Sequence, residues 1–457
     1  MRQISVILLL LCFVLSGCHP NQANERRFYR SEIELPAPTT QLSALTLKQS
    51  LLLANQNNES LSISGEAYLR RLIEQRRAVA SFLPTIDLAS QLSLRQKVDS
   101  SSNSGSSTSG SSGGSSSQSH TFDVPVRGSM NLFNGFSDVN RYWSSTFAIE
   151  QERQNLLDAQ QGLLLDVAQV FYQVLRAEAS VRVIEASLTT QEERLRDIQG
   201  RLNAGLARPL DVAQTQAQVS ATRVSLVNAQ RDIVTARLML SFLTAIDCSQ
   251  LPLTDTYEVP SRIENTEYYL QSSRQNRNDL SAAANAVQAA RSDVDVAIGQ
   301  YYPSVTLDLN AFLYRESLPD ERKWEALLGL NLPIFSAGLI EADVREAWSF
   351  YRQALLVQQR LVRQIKQDID IGYTEIFASE ERLKELKLQV DSAQQAYDQA
   401  DQSYRAGLAT NLDRVTAQAT LLRAQLDLSN EFYDRKLRQL QLLRTAGMLR
   451  QGVEQMQ

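Results

Sequence analysis

Two histidines, His19 and His120, and three cysteines, Cys12, Cys18 and Cys248, are all that 457 residues offer for imidazole catalysis, zinc ligation or disulfide pairing. Cys/His metal sites, disulfide scaffolds and histidine-based acid–base chemistry therefore have almost no raw material. No Gly-x-Ser-x-Gly elbow joins a strand to a helix, and His120 lies beside a run of serines, so a hydrolase lacks its nucleophile and base. No phosphate loop is present, and nothing asks for a cofactor or a metal. A surplus of positive charge is missing too: 46 Lys and Arg face 51 Asp and Glu, a net charge of −5 that speaks against nucleic acid as a partner. Eleven prolines and 18 glycines are few for this length, which favours long unbroken helices. Beyond the N-terminal leader, no stretch reaches the roughly eighteen apolar residues that a spanning helix needs. If the mature chain crosses a bilayer, it does so with strands.

The start, MRQISVILLLLCFVLSGCHP, has Arg2 as a positive head, an apolar run from Ile4 to Leu15 and small residues before Cys18. This is the form of a secretory signal peptide over residues 1–17. Leu15, Ser16, Gly17 and Cys18 resemble the lipobox of bacterial lipoproteins, in which the cysteine is acylated and becomes the N-terminus. His19 and Pro20 follow with no aspartate behind the cysteine, a pattern that in such lipoproteins goes with the outer membrane. Cys18 is thus the expected lipidation site at the head of an extended segment, 18–44. Palmitate and its companion chains would anchor the protein without spanning anything.

Self-comparison exposes a repeat. Ala204-Gly205-Leu206-Ala207 recurs as Ala406-Gly407-Leu408-Ala409, and Leu210-Asp211 as Leu412-Asp413, an offset of 202. The same offset relates Phe133, Asp166, Val167 and Phe171 to Phe335, Asp368, Ile369 and Tyr373. Upstream, Ala78 and Pro84 match Ala297 and Pro303 at an offset of 219, so the first half carries extra residues. They belong to the serine-rich run from Ser100 to Ser119, whose composition cannot bury enough apolar surface to fold. Because the run sits inside a repeat unit, it reads as a surface loop over 99–120 and not as a linker between domains.

Before that loop, Ile86, Leu88, Leu92 and Leu94 alternate with Thr85, Asp87, Gln91, Ser93 and Arg95. After it, Phe122, Val124, Val126, Met130 and Leu132 alternate with Thr121, Asp123, Arg127, Ser129 and Asn131. Period two means strands, and the two runs make a hairpin over about 84–96 and 121–133. The second half repeats this over about 303–315 and 323–335. There Val305, Leu307, Leu309, Ala311 and Leu313 alternate with Ser304, Thr306, Asp308, Asn310, Phe312 and Tyr314, and Trp324, Ala326, Leu328, Leu330, Leu332 and Ile334 follow. Leu327 breaks the polar face of this last run. Runs of about ten residues suit tilted transmembrane strands.

A soluble half-buried sheet alternates in the same way. Against it, the polar faces carry too many charges of both signs for a sandwich interior. Tyr142, Trp143, Tyr301 and Tyr302 also stand just beyond the strand ends, where a membrane interface would lie. On this reading Asp87, Arg95, Asp123, Arg127, Asp308 and Asn310 face a wet barrel lumen. Four strands in lipid leave two edges of unpaired backbone, each group costing several kcal/mol, so the chain must oligomerise. Closed bacterial barrels begin at about eight strands, which admits a dimer or anything larger.

From Ser137 to about Asn203 there is no proline, and apolar positions recur at i, i+3 and i+4, as in Val167, Val170, Phe171 and Val174. One helix of this length would extend roughly 100 Å. Its counterpart covers about 338–405. Each ends at the Ala-Gly-Leu-Ala segment and returns as a second helix from Pro209 or Asn411 to about Thr244 or Arg450, giving hairpins with tips at 201–211 and 404–413. Glycine suits a left-handed helix stop, Pro209 a first turn, and Asp211 and Asp413 the positive end of a helix dipole. Shorter helices over about 45–57, 66–81, 267–277 and 279–299 complete the halves, and 247–265, with Pro252 and Pro260, reads as irregular.

At this point the chain resembles the outer membrane factor family, the TolC-like outer membrane efflux channels, and particularly their lipoprotein branch serving multidrug pumps. The resemblance covers nearly all of the mature chain. It rests on the twofold repeat, on Phe82-Leu83-Pro84 and Tyr301-Tyr302-Pro303 entering each hairpin, on Leu132-Phe133-Asn134-Gly135 and Pro333-Ile334-Phe335 leaving it, and on the twin tips. It implies a mainly α fold with a β membrane segment: a homotrimer whose twelve strands form one outer-membrane barrel and whose helices form a periplasmic coiled-coil tunnel. It also implies a tunnel that narrows at its periplasmic end and dilates when a periplasmic adaptor (membrane fusion) protein and an inner-membrane transporter of the RND type dock.

Gly205, Leu206, Asp211, Gly407, Leu408 and Asp413 are similar to the family's adaptor-docking motif. Asp413 matches a position that lines an acidic constriction in some members, and Tyr404 and Asp211 match positions in links that hold the entrance closed. The chain departs from that pattern at Thr416, where a second acidic residue would stand, and at Ala409, where a basic one would; Arg208 is the candidate substitute from the other tip. Capping and turn formation account for these tip residues equally well.

The resulting expectation is a non-enzymatic outer-membrane channel, lipid-anchored and surrounded by outer-membrane lipid, that passively conducts what a pump delivers. Its parts are a first repeat at 45–245, a linker at 246–265, a second repeat at 266–450 and a tail at 451–457. Type I protein secretion is the alternative, with lipidation favouring efflux by resemblance, and a periplasmic coiled-coil scaffold lipoprotein is the further one. Few methionines and histidines argue against a dedicated copper or silver exporter.

Overall fold

The computed structural model describes residues 29–35, 44–96, 118–260, 263–315 and 323–455. The expected signal peptide, the expected lipidation of Cys18 and most of the serine-rich run lie outside the described residues. The helices are α1 (Leu47–Asn57), α2 (Glu59–Ala80), α3 (Ser137–Asn203), α4 (Pro209–Thr244), α5 (Thr266–Asn276), α6 (Asn278–Gly299), α7 (Leu339–Arg405), α8 (Asn411–Thr445) and α9 (Leu449–Gln455). The strands are β1 (Leu45–Thr46), β2 (Thr85–Leu88), β3 (Gln91–Gln96), β4 (Gln118–Asn134), β5 (Leu253–Thr254), β6 (Ser304–Arg315) and β7 (Trp324–Asn331). These elements fall into two units, one comprising Arg70–Gln151 and Ala283–Val357, the other the rest of the described chain.

The first unit is built on an antiparallel sheet in which β2 and β3 pair with β4, β4 with β6, and β6 with β7. β2 and β3 form one interrupted strand. Both hold the same register against β4, and the gap at Ala89 and Ser90 lies opposite Pro125, which has no N–H to give. Ala89 still donates its N–H to the Pro125 carbonyl at 3.1 Å.

The two hairpins follow one plan. Thr85 pairs with Ser129 and Leu92 with Phe122; adding 219 to the first residue and 202 to the second gives Ser304 with Asn331 and Ala311 with Trp324, which also pair. The offsets read from the sequence are thus the register of the sheet.

Between the hairpins, β4 and β6 pair through two irregularities, at Val124/Pro125 and at Asn131/Phe133. Each inserts one residue, Leu313 on β6 and Leu132 on β4, and an inserted residue turns the alternation over. Strict alternation places Tyr314 on the polar face; instead it is set against Val124, with its ring 5.8 Å from that of Phe122. Phe133 is likewise set against Val305 and meets Phe136 edge-on at 5.1 Å.

The chain leaves β4 through Gly135 and Phe136, both at positive φ (64° and 62°). A Cβ on Gly135 would collide with the Gly299 carbonyl oxygen, and one on Gly299 with the Ser137 hydroxyl. Glycine at both places lets the start of α3 lie against the end of α6, where Ser137 Oγ donates to the Val296 carbonyl at 3.1 Å.

In the second unit, α3 returns as α4 and α7 as α8. Val181 and Ile184 of α3 pack on Ala229 of α4, Ala393 and Tyr397 of α7 on Leu421 and Ala424 of α8, and Ile365, Ile369 and Ile376 on Leu442, Ala446 and Tyr269. Each buried Ile or Leu contributes about 1.5–3 kcal/mol by leaving water, and the alanines let the helices approach.

Three details depart from the sequence reading. α2 begins at Glu59, not near residue 66, and Gly65 lies inside it, because a Cβ there would strike the ring of Tyr29. That ring is buried, and the segment behind it is held by Asn55 Nδ2 and Gln160 Nε2, both donating to the Ile33 carbonyl at 2.9 Å. α8 stops at Thr445, before Gly447 turns left-handed (φ 75°) against the backbone of Asn276 and Arg277. The linker is not wholly irregular: β5 pairs in parallel with β1, and Lys436 Nζ donates to Asp255 and to the Tyr257 carbonyl, each at 2.6 Å.

Candidate functional site

Two places carry unusual chemistry: the faces of the sheet, and the tips where each long helix turns back. Reading the register across the sheet gives rows. Ile86, Gly128, Leu309 and Ala326 form one, and Leu88, Val126, Ala311 and Trp324 another, with Met130, Leu307 and Leu328 continuing the same face. This face is apolar and yet open to the surroundings: Trp324 is 69% exposed, Leu330 72% and Ile86 74%.

The opposite face carries the row Asp87, Arg127, Asn310 and Glu325, and the row Thr85, Ser129, Asp308 and Leu327. Asp123 sits across from Arg315 at 4.0 Å, and the Arg315 guanidinium lies 4.3 Å from the Phe312 ring centre. Five of the six residues proposed for the lumen, Asp87, Asp123, Arg127, Asp308 and Asn310, therefore share a face; Arg95 pairs with Ser119 in the register of β3 and β4. Glu325 joins them. A soluble sheet buries its apolar face, whereas here the continuous apolar face is uncovered, which is the arrangement lipid requires. No helix among the described residues is long and apolar enough to cross a membrane.

At the tips, α3 and α7 each end in a left-handed glycine, Gly205 (φ 74°) and Gly407 (φ 75°). The Leu206 and Leu408 N–H groups reach back to the carbonyls of Arg201 (2.7 Å) and Ser403 (2.8 Å), closing the same terminating turn twice. The turns hold Leu206, Leu210, Leu408 and Leu412 exposed, and Leu408 is 84% so.

The aspartates behind the turns differ in role. Asp413 and Thr410 cap α8 reciprocally: the Thr410 hydroxyl donates to the Asp413 carboxylate at 2.6 Å, and the Asp413 N–H to the Thr410 hydroxyl at 3.3 Å. The hydroxyl holds the exposed Asp413 carboxyl below the usual carboxylate range. Asp211 is buried and takes Arg208 as its partner, Nη2 at 2.9 Å and Nε at 3.2 Å, which holds its carboxyl low as well.

Tyr404 lies under the Arg414 guanidinium, 4.2 Å from its ring centre, with Arg201 at 5.9 Å. The structure thus brings Arg208 to Asp211 and Tyr404 to Arg414.

Sequence reading missed the residue at the centre of this region, Asp401. Its carboxylate meets Arg194 of α3, Arg405 at 3.0 Å and Arg414 at 3.7 Å. Arg414 is 2% exposed; burial pushes its guanidinium down, and the nearby Arg194 adds to that. The two hairpins are joined beside it by Asn411 Nδ2, which donates to the Asp211 carbonyl at 3.1 Å and to Thr215 Oγ1 at 3.2 Å, while Arg414 donates to Asn411 Oδ1 at 2.9 Å. A signal did exist: at the offset of 202, the counterparts of Arg194, Asp401 and Arg414 are Ala396, Gln199 and Val212, so charge appears at these positions in one repeat only.

Among known proteins, the outer membrane protein TolC of Vibrio cholerae is 26% identical over 301 residues, 64% of this chain and 68% of the relative. A probable efflux pump outer membrane protein, TtgC of Pseudomonas putida, is 24% identical over 309 residues, 65% of this chain and 62% of the relative. The outer membrane protein VceC of Vibrio cholerae superposes with a TM-score of 0.75 at 21% identity, covering 88% of this chain and 96% of that one. The model of the family described as outer membrane efflux protein matches residues 43–245 and 269–448, both halves of the repeat. The chain belongs to the outer membrane efflux protein family.

Proposed function

We propose that the protein is the outer-membrane channel of a tripartite efflux system: a trimer that passively conducts what a periplasmic adaptor and an inner-membrane transporter deliver. The observation that carries the reading is the sheet, one face of which is continuously apolar yet exposed, whose other face holds Asp87, Arg127, Asn310 and Glu325, and whose outer strands each have one neighbour among the described residues. Four strand positions cannot close a barrel alone, and unpaired edges are not tolerated in lipid. Copies of the chain would close it, and three would give twelve strands.

The long helices support the same reading. Val224, Val227, Val234, Leu238 and Phe242 on α4, and Phe350, Leu356, Val357, Val362 and Ile371 on α7, stand exposed, as faces awaiting a second copy would. The exposed leucines and glycine turns at both tips suit close approach of an adaptor helix. Asp211, Tyr404, Asp413 and Arg208 belong to the entrance that such docking would open, and lipidation at Cys18 would add the membrane anchor. The efflux-pump relative supports efflux over protein secretion.

The test is the molar mass of the protein extracted from outer membranes in mild detergent, by light scattering with the detergent subtracted. A trimer is expected. A monomer would overturn the reading and leave a periplasmic scaffold.

A further inference from the structure

The sheet has two edges, β2 with β3 at one side and β7 at the other, and the repeat supplies the register in which edges of neighbouring copies meet. Within the chain, the hairpin of the first repeat joins that of the second through β4 and β6: Val126 opposes Ala311, Gly128 opposes Leu309, and Met130 opposes Leu307. By the offsets that carry one hairpin's register onto the other's, β4 corresponds to β7 and β6 to β2 and β3. The junction inside the chain is therefore a template for the junction between chains.

The geometry points to an intermolecular antiparallel pairing in which Leu328 of one copy faces Leu92 of the next, Leu330 faces Ser90 and Leu332 faces Leu88. This inference rests on the oligomeric-channel reading and names its interface residue by residue.

Two observations beyond the offsets agree with it. Leu328, Leu332, Leu88 and Leu92 are all exposed in the single chain, and Leu328, Leu88 and Leu92 lie on the apolar face, so the pairing continues that face across the junction. A slip by one residue would set Leu328 against Gln91 or Ser93 and turn the polar face of one copy toward the apolar face of the other. Further, the bulge inside the chain adjoins Asn131, whose counterpart is Pro333. A proline lacks the N–H that a regular ladder would use, and bulges are where strands accept one.

Parity alone would allow a slip of two residues, so the test separates registers. Paired cysteines are placed at Leu328→Cys with Leu92→Cys, at Leu328→Cys with Leu94→Cys and at Leu328→Cys with Ser90→Cys, in a Cys248→Ser background, and oxidised in outer membranes. The internal pair Val126→Cys with Ala311→Cys, which has the template geometry inside one chain, reports whether a disulfide can form there.

The expected result is covalent dimers and trimers for Leu328 with Leu92 at least fivefold more abundant than for either slipped pair, with the internal pair giving a monomeric crosslink. Preferential linkage of a slipped pair overturns the register. So does absence of intermolecular linkage when the internal pair oxidises. In both cases a trimeric mass in detergent would leave the channel reading standing, whereas a monomeric mass would remove it.

Discussion

The glycines show how one residue type answers to two different constraints. Gly135 has a positive φ and a neighbour, the Gly299 carbonyl, in the space where a side chain would begin; Gly205 has the positive φ and nothing within 4 Å. Gly205→Ala should therefore cost about 1 kcal/mol, the price of the left-handed backbone alone. Gly135→Ala adds steric overlap worth about 1–3 kcal/mol. Thermal denaturation of the extracted protein should rank Gly135→Ala well below Gly205→Ala, and equal midpoints would refute the packing argument.

Glu431 gives a prediction in pH. Burial opposes its ionisation, but the Ser379 hydroxyl at 2.6 Å, Arg438 at 2.7 Å and Arg382 at 3.2 Å outweigh burial and hold its carboxyl below the usual glutamate range. A carboxyl depressed in the folded state stabilises the fold above the unfolded value, near 4.3, and that stabilisation is lost as pH falls through the lower folded value. Glu431→Gln should thus lower stability by about 1–3 kcal/mol at pH 7. The gap from the parent should close on acidification toward pH 3. Circular dichroism melts across that range would detect it, and a gap independent of pH would count against the network.

At the scale of elements, the sheet makes opposite demands on neighbouring residues. Leu88 and Leu330 lie on the exposed apolar face, and Asp87, one residue from Leu88, lies in the row with Arg127. An arginine on a lipid-facing position costs about 2–4 kcal/mol at mid-depth, whereas a lumen position is wet. Leu88→Arg and Leu330→Arg should therefore reduce the protein recovered in outer-membrane fractions, and Asp87→Arg should not; a blot with equal bands for all three would contradict this assignment.

Most of this was legible in the sequence, because alternation and the repeat offsets are properties of single residues counted along the chain. What escaped was what counting cannot register. The bulges that insert Leu313 and Leu132 move Tyr314 and Phe133 to the other face; Pro125 stands at the first of them, but alternation alone does not say which strand takes the extra residue. Gly65 reads as a helix breaker until the ring of Tyr29, a partner distant in sequence, is found lying on it. Asp401 escaped for a related reason: its three arginines come from three helices, and only the mismatch between repeats hinted at them.

For the molecule as a whole, the repeats are equivalent in the sheet and unequal at the tips, and the inequality bears on how the proposed channel would close. Asp401 supplies one carboxylate to Arg194 from the first repeat and to Arg405 and Arg414 from the second. Removing it leaves the fully buried Arg414 guanidinium without its anion, and an uncompensated buried charge of this kind costs about 3–5 kcal/mol. The cheapest relief is to let water reach Arg414, which requires the two hairpins to part near Asn411 and Asp211. Asp401→Ala should therefore loosen the tips while leaving the sheet intact. In planar bilayers the variant should conduct more than the parent at the same applied voltage, and in cells it should admit large hydrophilic antibiotics that the parent excludes. Asp413→Ala removes only an exposed cap worth about 1 kcal/mol and should leave conductance close to that of the parent. Greater conductance from Asp413→Ala than from Asp401→Ala would place the closure at the acidic tip and not at the buried arginine.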